Sequence, residues 1–273
     1  MRGVFSCLLM AAVLPAPAAV TPGVQAQAAA GAVGDRSAVL RQAQNAYYNL
    51  RSRGLATFQC DVTPDWQLLL ADERKQNPEA ADNAIQILNQ LHFSVNLSAD
   101  DTVKLTHNEL TGQSQQMMDA LKQIYGGMEQ LTSSVFDTWK RFMITSPFPN
   151  AGGAYTLDNL GPRYKLAYRE DQSDVATTMG HDFAIDTLNM TSPEFDSSIQ
   201  PSFTSTPQGF VLASYSATYK SQNASETTQL DVAIDYAQVE GFEMLSKLSL
   251  KGTYGGTPFG VALAFSNCQV TKK

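Results

Sequence analysis

The C-terminal quarter constrains this chain most, because its apolar residues recur at every second position. Residues 210–219, 228–236, 242–250 and 259–270 are four runs rich in aromatic and β-branched side chains. A period of two belongs to a strand and not to a helix. In the second run Leu230, Val232, Ile234 and Tyr236 alternate with Asp231, Ala233 and Asp235, which predicts a sheet with one wet face. In the last run Phe259, Val261, Leu263 and Phe265 oppose Gly260, Ala262, Ala264 and Ser266. A large row against a small row predicts that both faces are covered, with another element close over the small side. Gly255–Gly256–Thr257–Pro258 supplies the turn before it.

Upstream the period is mixed. From Ala154 it is already two, and residues 163–170, 175–179 and 183–188 read as strands. Ser37 is a fair cap for a first helix whose stripe is Leu40, Ala43, Tyr47 and Leu50. Arg51 and Arg53 would close it and Gly54 would stop it. Residues 55–62 follow as a strand with Ala56, Phe58, Cys60 and Val62 on one face. Asn77 and Pro78 open a second helix carrying Ala81, Ile85 and Leu88. Residues 92–97 and 102–107 read as two short strands, turned at Asp100–Asp101.

The strongest helical pattern spans residues 113–145. Met117, Leu121, Ile124, Met128, Leu131, Val135, Trp139 and Phe142 recur at spacings of three and four, and Met118, Tyr125, Phe136 and Met143 widen the stripe. A single rod would be about 48 Å long. With Gly126–Gly127 in its middle, the pattern predicts a kink or two packed helices. Pro147 and Pro149 end it.

The beginning of the chain addresses compartment. Arg2 precedes an uncharged apolar run, broken by Pro15 and Pro17, and Ala26–Gln27–Ala28 closes it. That layout reads as a cleavable secretory signal over residues 1–28, with a retained anchor as the alternative. Residues 29–36 read as a flexible lead-in. A chain of 273 residues less a 28-residue leader leaves 245, enough to bury a core unaided. The formal charge of −7 becomes −8 without Arg2, and the basic residues are scattered. A nucleic-acid partner is therefore not expected, nor is electrostatic docking on an anionic membrane. Two cysteines remain, Cys60 and Cys268, and in an exported chain an even pair predicts a disulfide between two strands. Two buried thiols are the alternative. The mature protein is expected to be a soluble monomer, periplasmic or extracellular.

No reactive constellation stands out. There is no G-x-S-x-G, H-E-x-x-H, Walker loop or G-x-G-x-x-G. His92, His107 and His181 lie far apart in sequence. Asp171, Asp174, Asp182 and Asp186 lack the spacing of a calcium loop and read as a charged sheet edge. Neither a cofactor nor a metal is expected. Carboxylates paired across space for hydrolysis stay open as a minor alternative. The feature with functional content is the stripe, because flexible, polarizable methionines suit pliable apolar binding surfaces. Its candidate ligand-binding residues are Met117, Leu121, Ile124, Tyr125, Met128, Leu131, Phe136, Trp139, Phe142 and Met143. Plain packing between helix and sheet is the alternative reading of the same residues.

Three patches carry a resemblance. They are Leu55–Ala56–x–Phe58–Gln59 after a leucine-bearing helix, Pro207–Gln208–Gly209–Phe210 before a strand, and Phe265–Ser266–Asn267 near the end. With the order of export signal, helix, strand, inserted helices and long meander, the chain resembles the periplasmic lipoprotein-carrier superfamily. The resemblance implies one domain over residues 37–273. Its class would be α+β, a curved antiparallel half-barrel meander with helices on its concave face, and a hydrophobic cavity between them. The family's arginine-bearing second strand has no counterpart here, so carriage of lipoprotein acyl chains does not carry over. The function expected is a non-enzymatic carrier or sensor for lipid or another apolar ligand. The alternative is a structural or partner-binding envelope protein with a dry core.

Overall fold

Alternating burial builds one twelve-stranded antiparallel sheet, which takes up about half of the described residues. The computed structural model describes residues 33–273 except 113, 151, 223–226 and 255. The signal expected over residues 1–28 lies outside the described residues. In chain order the elements are α1 (Val33–Asn45), β1 (Leu55–Pro64), α2 (Trp66–Leu69), α3 (Ala71–Gln76), α4 (Pro78–Leu88), β2 (Phe93–Leu97) and β3 (Val103–His107). Then come α5 (Gln115–Met143), β4 (Tyr155–Asn159), β5 (Arg163–Glu170), β6 (Ser173–Gly180), β7 (Ile185–Thr191) and β8 (Phe195–Thr206). The four C-terminal runs fold as β9 (Gly209–Ser221), β10 (Thr227–Val239), β11 (Phe242–Tyr254) and β12 (Thr257–Lys272).

The twelve strands lie in the order β3-β2-β1-β12-β11-β10-β9-β8-β7-β6-β5-β4. Every neighbour follows in sequence except β1 and β12, where the two ends of the chain meet. Their ladder runs from Leu55 opposite Lys272 to Pro64 opposite Leu263, with a register shift between Gln59 and Asp61. At that shift Asn267 adopts φ 50° and its amide donates to Asp61 Oδ2 at 2.9 Å. The extra residue of this bulge brings Cys268 opposite Cys60, and the two form the disulfide expected from sequence. Such a bond points to an oxidising, exported location. Among the described residues no helix is long and apolar enough to cross a membrane.

The α+β half-barrel with a helical lid is not what forms. Strand makes up 50% and helix 26%, the sheet is open with free edges at β3 and β4, and one long helix lies on it in place of several. The error has an identifiable source. β8 reads Phe-Asp-Ser-Ser-Ile-Gln-Pro-Ser-Phe-Thr-Ser-Thr, whose hydroxyl residues and proline hide the strand from a hydrophobic pattern. Helices α2 and α3 are four and six residues long and add little to any lid.

Other expectations are corrected locally. α1 begins at Val33, inside the expected lead-in, and ends at Asn45 instead of running to Arg53. The stripe continues past that end because Tyr47 and Leu50 are still buried, but tertiary bonding takes their backbone. Phe210 N–H donates to Ala46 O at 2.8 Å, and Tyr48 N–H to Phe210 O at 3.0 Å. α5 is a single continuous helix of 29 residues, about 43 Å long, with no break at Gly126–Gly127. Ser114 caps it by accepting from Met117 N–H at 3.3 Å, and Lys140 and Arg141 sit in its last turn. The small row of β12 is not covered throughout: Ala264 and Ser266 are exposed, and only Gly260 and Ala262 are half-buried. The wet face predicted for β10 is present, with Val232 and Ile234 buried and Asp231, Ala233 and Asp235 exposed.

The Ala46–Tyr48 crossing depends on one glycine. Gly209 has φ +116°, and a Cβ there would sit 2.8 Å from Ala46 O, Tyr47 C and Tyr48 N. All three are backbone atoms and cannot swing aside. Gly209→Ala should therefore destabilise the protein by more than the about 1 kcal/mol of an ordinary glycine exchange. A shift in the urea midpoint measures this, and an unchanged midpoint would show that the crossing is not rigid.

Candidate functional site

All ten residues of the expected ligand stripe lie on α5, and the helix turns them toward the sheet. Leu121, Ile124, Met128, Phe136, Trp139, Phe142 and Met143 are buried, while Met117, Tyr125 and Leu131 are half-buried against the same core. The C-terminal half of the stripe is interlocked. The Trp139 ring lies 6.0 Å from Phe58 and 5.4 Å from Phe136, and its indole N–H donates to Tyr236 Oη at 3.1 Å. Tyr236 in turn donates to Leu212 O at 2.7 Å. Phe142 packs edge-on to Phe203 at 5.6 Å. The N-terminal half is looser. There the Tyr125 ring stacks on His107 at 3.8 Å and meets Phe93 at 6.3 Å.

The interface between α5 and the sheet contains hydroxyls without partners. Tyr125 Oη and Thr132 Oγ1 on the helix are buried and form no hydrogen bond, and the same is true of Tyr215 Oη on β9. The Tyr215 phenol abuts Thr138 of α5 without hydrogen-bond geometry. Buried polar atoms are ordinarily paired, and each orphan costs about 1–3 kcal/mol. Burial raises the pKa of Tyr215, of Tyr236 and of Tyr47, and pushes Tyr168 up to about 12, so these phenols stay protonated at neutral pH.

Two open grooves flank this interior. The first, of about 580 Å³, lies where β7 and β8 diverge and includes Asp182, Asp186, Gln200, Ser202, Phe203 and Phe210 in its walls. Its origin is a single residue. Ser192 N–H donates to Phe195 O at the hairpin, so hydrogen-bonded pairs alternate from there through 190/197 and 188/199. The next such pair would be Asp186 with Pro201, and proline has no N–H to give. The ladder accordingly stops at Leu188 opposite Ile199, and the strands fork. The second groove, of about 420 Å³, runs between β3 and α5 and is walled by Val103, Lys104, Leu105, Gly126, Glu129, Gln130, Thr132 and Ser133. None of the ten stripe residues lines either groove.

Several structural hubs escaped the sequence reading. Tyr47 Oη accepts from Ile185 N–H and donates to Phe183 O, both at 2.9 Å, and its ring touches Phe148, Phe203 and Phe210 within 5.6 Å. Arg51, expected merely to close a helix, ties three elements together. Its guanidinium donates to Asp101 Oδ1 at 2.6 and 2.8 Å, to Ser98 O at 2.7 Å, and to Leu55 O and Ala56 O at the start of β1. Only sequence context beyond local periodicity could have marked these residues.

The turn held by Arg51 makes a pH prediction. Asp100 accepts from the Ser98 hydroxyl at 2.6 Å and from Thr102 N–H at 3.1 Å. The Ser98 bond first, then those from Thr102, lower its carboxyl from 3.8 to about 2. A depressed carboxyl contributes to folding above its unfolded value and loses that contribution as pH falls through about 2. NMR titration of the Asp100 side-chain carbon should give a midpoint near 2. A midpoint near 4 would mean that the turn bonds do not persist in solution.

The expected chemistry-bearing residues stay dispersed. Among the described residues no three of His, Cys, Asp or Glu come close enough to hold a metal ion. His181 contacts Gly161 O at 2.6 Å and His107 stacks on Tyr125. Asp182 and Asp186 share the β7–β8 fork, where Asp186 pairs with Arg163 at 2.6 Å, whereas Asp171 and Asp174 do not line it. No family model, no curated protein and no solved structure matches this chain.

Proposed function

We propose that this chain is an exported, non-enzymatic protein that holds an apolar or amphipathic ligand, such as a lipid, between α5 and the sheet. The observation that carries the reading is the set of orphaned hydroxyls at that interface, Tyr125 and Thr132 on one side and Tyr215 on the other. A permanently closed core gains nothing from three unpaired hydroxyls, whereas an amphipathic guest can pair them as α5 lifts. The four methionines of α5, Met117, Met118, Met128 and Met143, supply an adaptable apolar wall for such a guest. Export through a cleaved leader, to periplasm or exterior, is part of the same proposal and agrees with the disulfide.

A second reading, a structural or partner-binding envelope protein with a dry interior, is favoured by the close packing around Trp139. Native mass spectrometry of the exported protein, followed by organic extraction and titration with a fluorescent fatty acid, separates the two. The ligand reading expects a copurifying lipid mass or saturable fatty-acid binding. Protein that carries no adduct and binds no fatty acid would leave the second reading.

A further inference from the structure

We infer that the free edge of β3 and the adjoining face of α5 form a second site, which receives an extended peptide segment of a partner protein. This inference is independent of any ligand in the interior. The ladder between β2 and β3 fixes which backbone groups are free. Ser98 N–H donates to Thr102 O at 3.0 Å and Asn108 N–H to His92 O at 3.1 Å. Hydrogen-bonded pairs alternate between those two, so Lys104 and Thr106 bond inward to Asn96 and Ser94. The N–H and C=O groups of Val103, Leu105 and His107 therefore point away from β2, and among the described residues β3 has no strand beyond it. A row of donors and acceptors at two-residue spacing is complementary to another extended backbone.

The groove beside that edge has the matching shape and chemistry. Val103 and Leu105 turn half-buried side chains into it, and α5 forms its opposite wall at Gly126, Glu129, Gln130, Thr132 and Ser133. A volume of about 420 Å³ is within the range of ligand sites. An added strand would point alternate side chains into this groove and the others outward beside Lys104. Lys104 is exposed and makes no ion pair among the described residues, so an acidic residue on the outward face completes it. The occupant is thus an amphipathic strand, apolar inward and acidic outward.

The test uses the peptide acetyl-Thr-Val-Thr-Val-Glu-Val-Thr-amide as probe with the mature protein; added antiparallel with its valines opposite His107, Leu105 and Val103, it sets its glutamate opposite Lys104. Hydrogen exchange at the Val103, Leu105 and His107 amides should slow at least about ten-fold at saturating peptide. The Lys104 and Thr106 amides, already bonded to β2, should change little. The same peptide N-methylated at its valines has lost the donors that face β3 and should give no protection. Leu105→Pro removes an outward N–H without breaking the β2–β3 ladder and should abolish binding. Lys104→Glu, at an exposed position, should keep the fold and weaken binding about five-fold by setting like charges opposite each other, which decides the matter even where the proline variant fails to fold. The inference is overturned by unchanged exchange at millimolar peptide, or by equal protection from the N-methylated peptide. Protection of the three amides in protein alone, rising with its concentration alongside a sedimenting dimer, would overturn it in favour of a second copy as occupant. Fatty-acid binding is read separately, so failure of either site leaves the other standing.

Discussion

Trp139→Ala is expected to cost about 3–5 kcal/mol of folding stability. Its side chain is the largest of the fully buried ones. It meets Phe58 and Phe136 edge-on, and its indole N–H donates to the Tyr236 hydroxyl. Truncation would leave a cavity wedged between α5 and β1, a rigid strand that cannot collapse into it. Trp139→Phe keeps most of the ring and loses the indole bond, so a loss of about 1–2 kcal/mol is expected. Urea denaturation measures both. The ligand reading adds a second readout, because Met117 and Leu131, at the looser positions of α5, can be truncated at lower cost. If fatty acid is held under α5, Met117→Ala and Leu131→Ala should weaken its binding while leaving the urea midpoint nearly in place. A Trp139→Ala midpoint equal to wild type would mean that α5 is not packed on the sheet in solution.

Removing the disulfide by Cys60→Ala with Cys268→Ala is expected to cost about 2–5 kcal/mol. The bond spans 208 residues and joins the first strand to the last. In the chain-entropy account a loop of that length gives an upper bound of about 5 kcal/mol, and enthalpic terms reduce it. Its place in the sheet adds to its effect. Among the described residues β1, β2 and β3 connect to the rest of the sheet only through the β1–β12 ladder, which already contains two register shifts. Without the bond, protection from hydrogen exchange should fall first in β1–β3 and later in β9–β11. Uniform loss across all strands would show that the sheet unfolds as one unit, and an unchanged midpoint would show that the ladder alone suffices.

Much of the sheet was legible because its residues obey a local rule. β5 and β9–β11 largely alternate apolar and polar side chains and β12 alternates large with small ones, and solvent on one face imposes such alternation directly on sequence. The cap of α4 was legible for the same reason: Asn77 accepts from Ala80 N–H at 3.2 Å, with Pro78 following it. β8 was not legible. Its inward positions include Ser197 and Pro201, because a strand between two others needs backbone partners more than apolar side chains. The end of α1 was not legible either, since the Tyr47–Leu50 stripe is helical in spacing and yet its backbone bonds to Phe210 and Met143.

The same division runs through the candidate sites. Spacing along the chain was enough to show that α5 would carry a broad apolar stripe and that Cys60 and Cys268 would be the pair available for a disulfide. Helical periodicity and cysteine count are properties of the chain alone. The folded arrangement sets which of those stripe residues are sealed around Trp139 and which lie loosely near Tyr125. It alone decided that Pro201 opens a fork in the sheet, that Thr132 is left without a partner, and that the backbone of Val103, Leu105 and His107 faces outward. Those facts depend on which strand pairs with which and in what register, and on what the opposing element leaves unfilled. Hydrogen-bond satisfaction and cavity shape are relations between distant segments, so no local pattern in the chain encodes them.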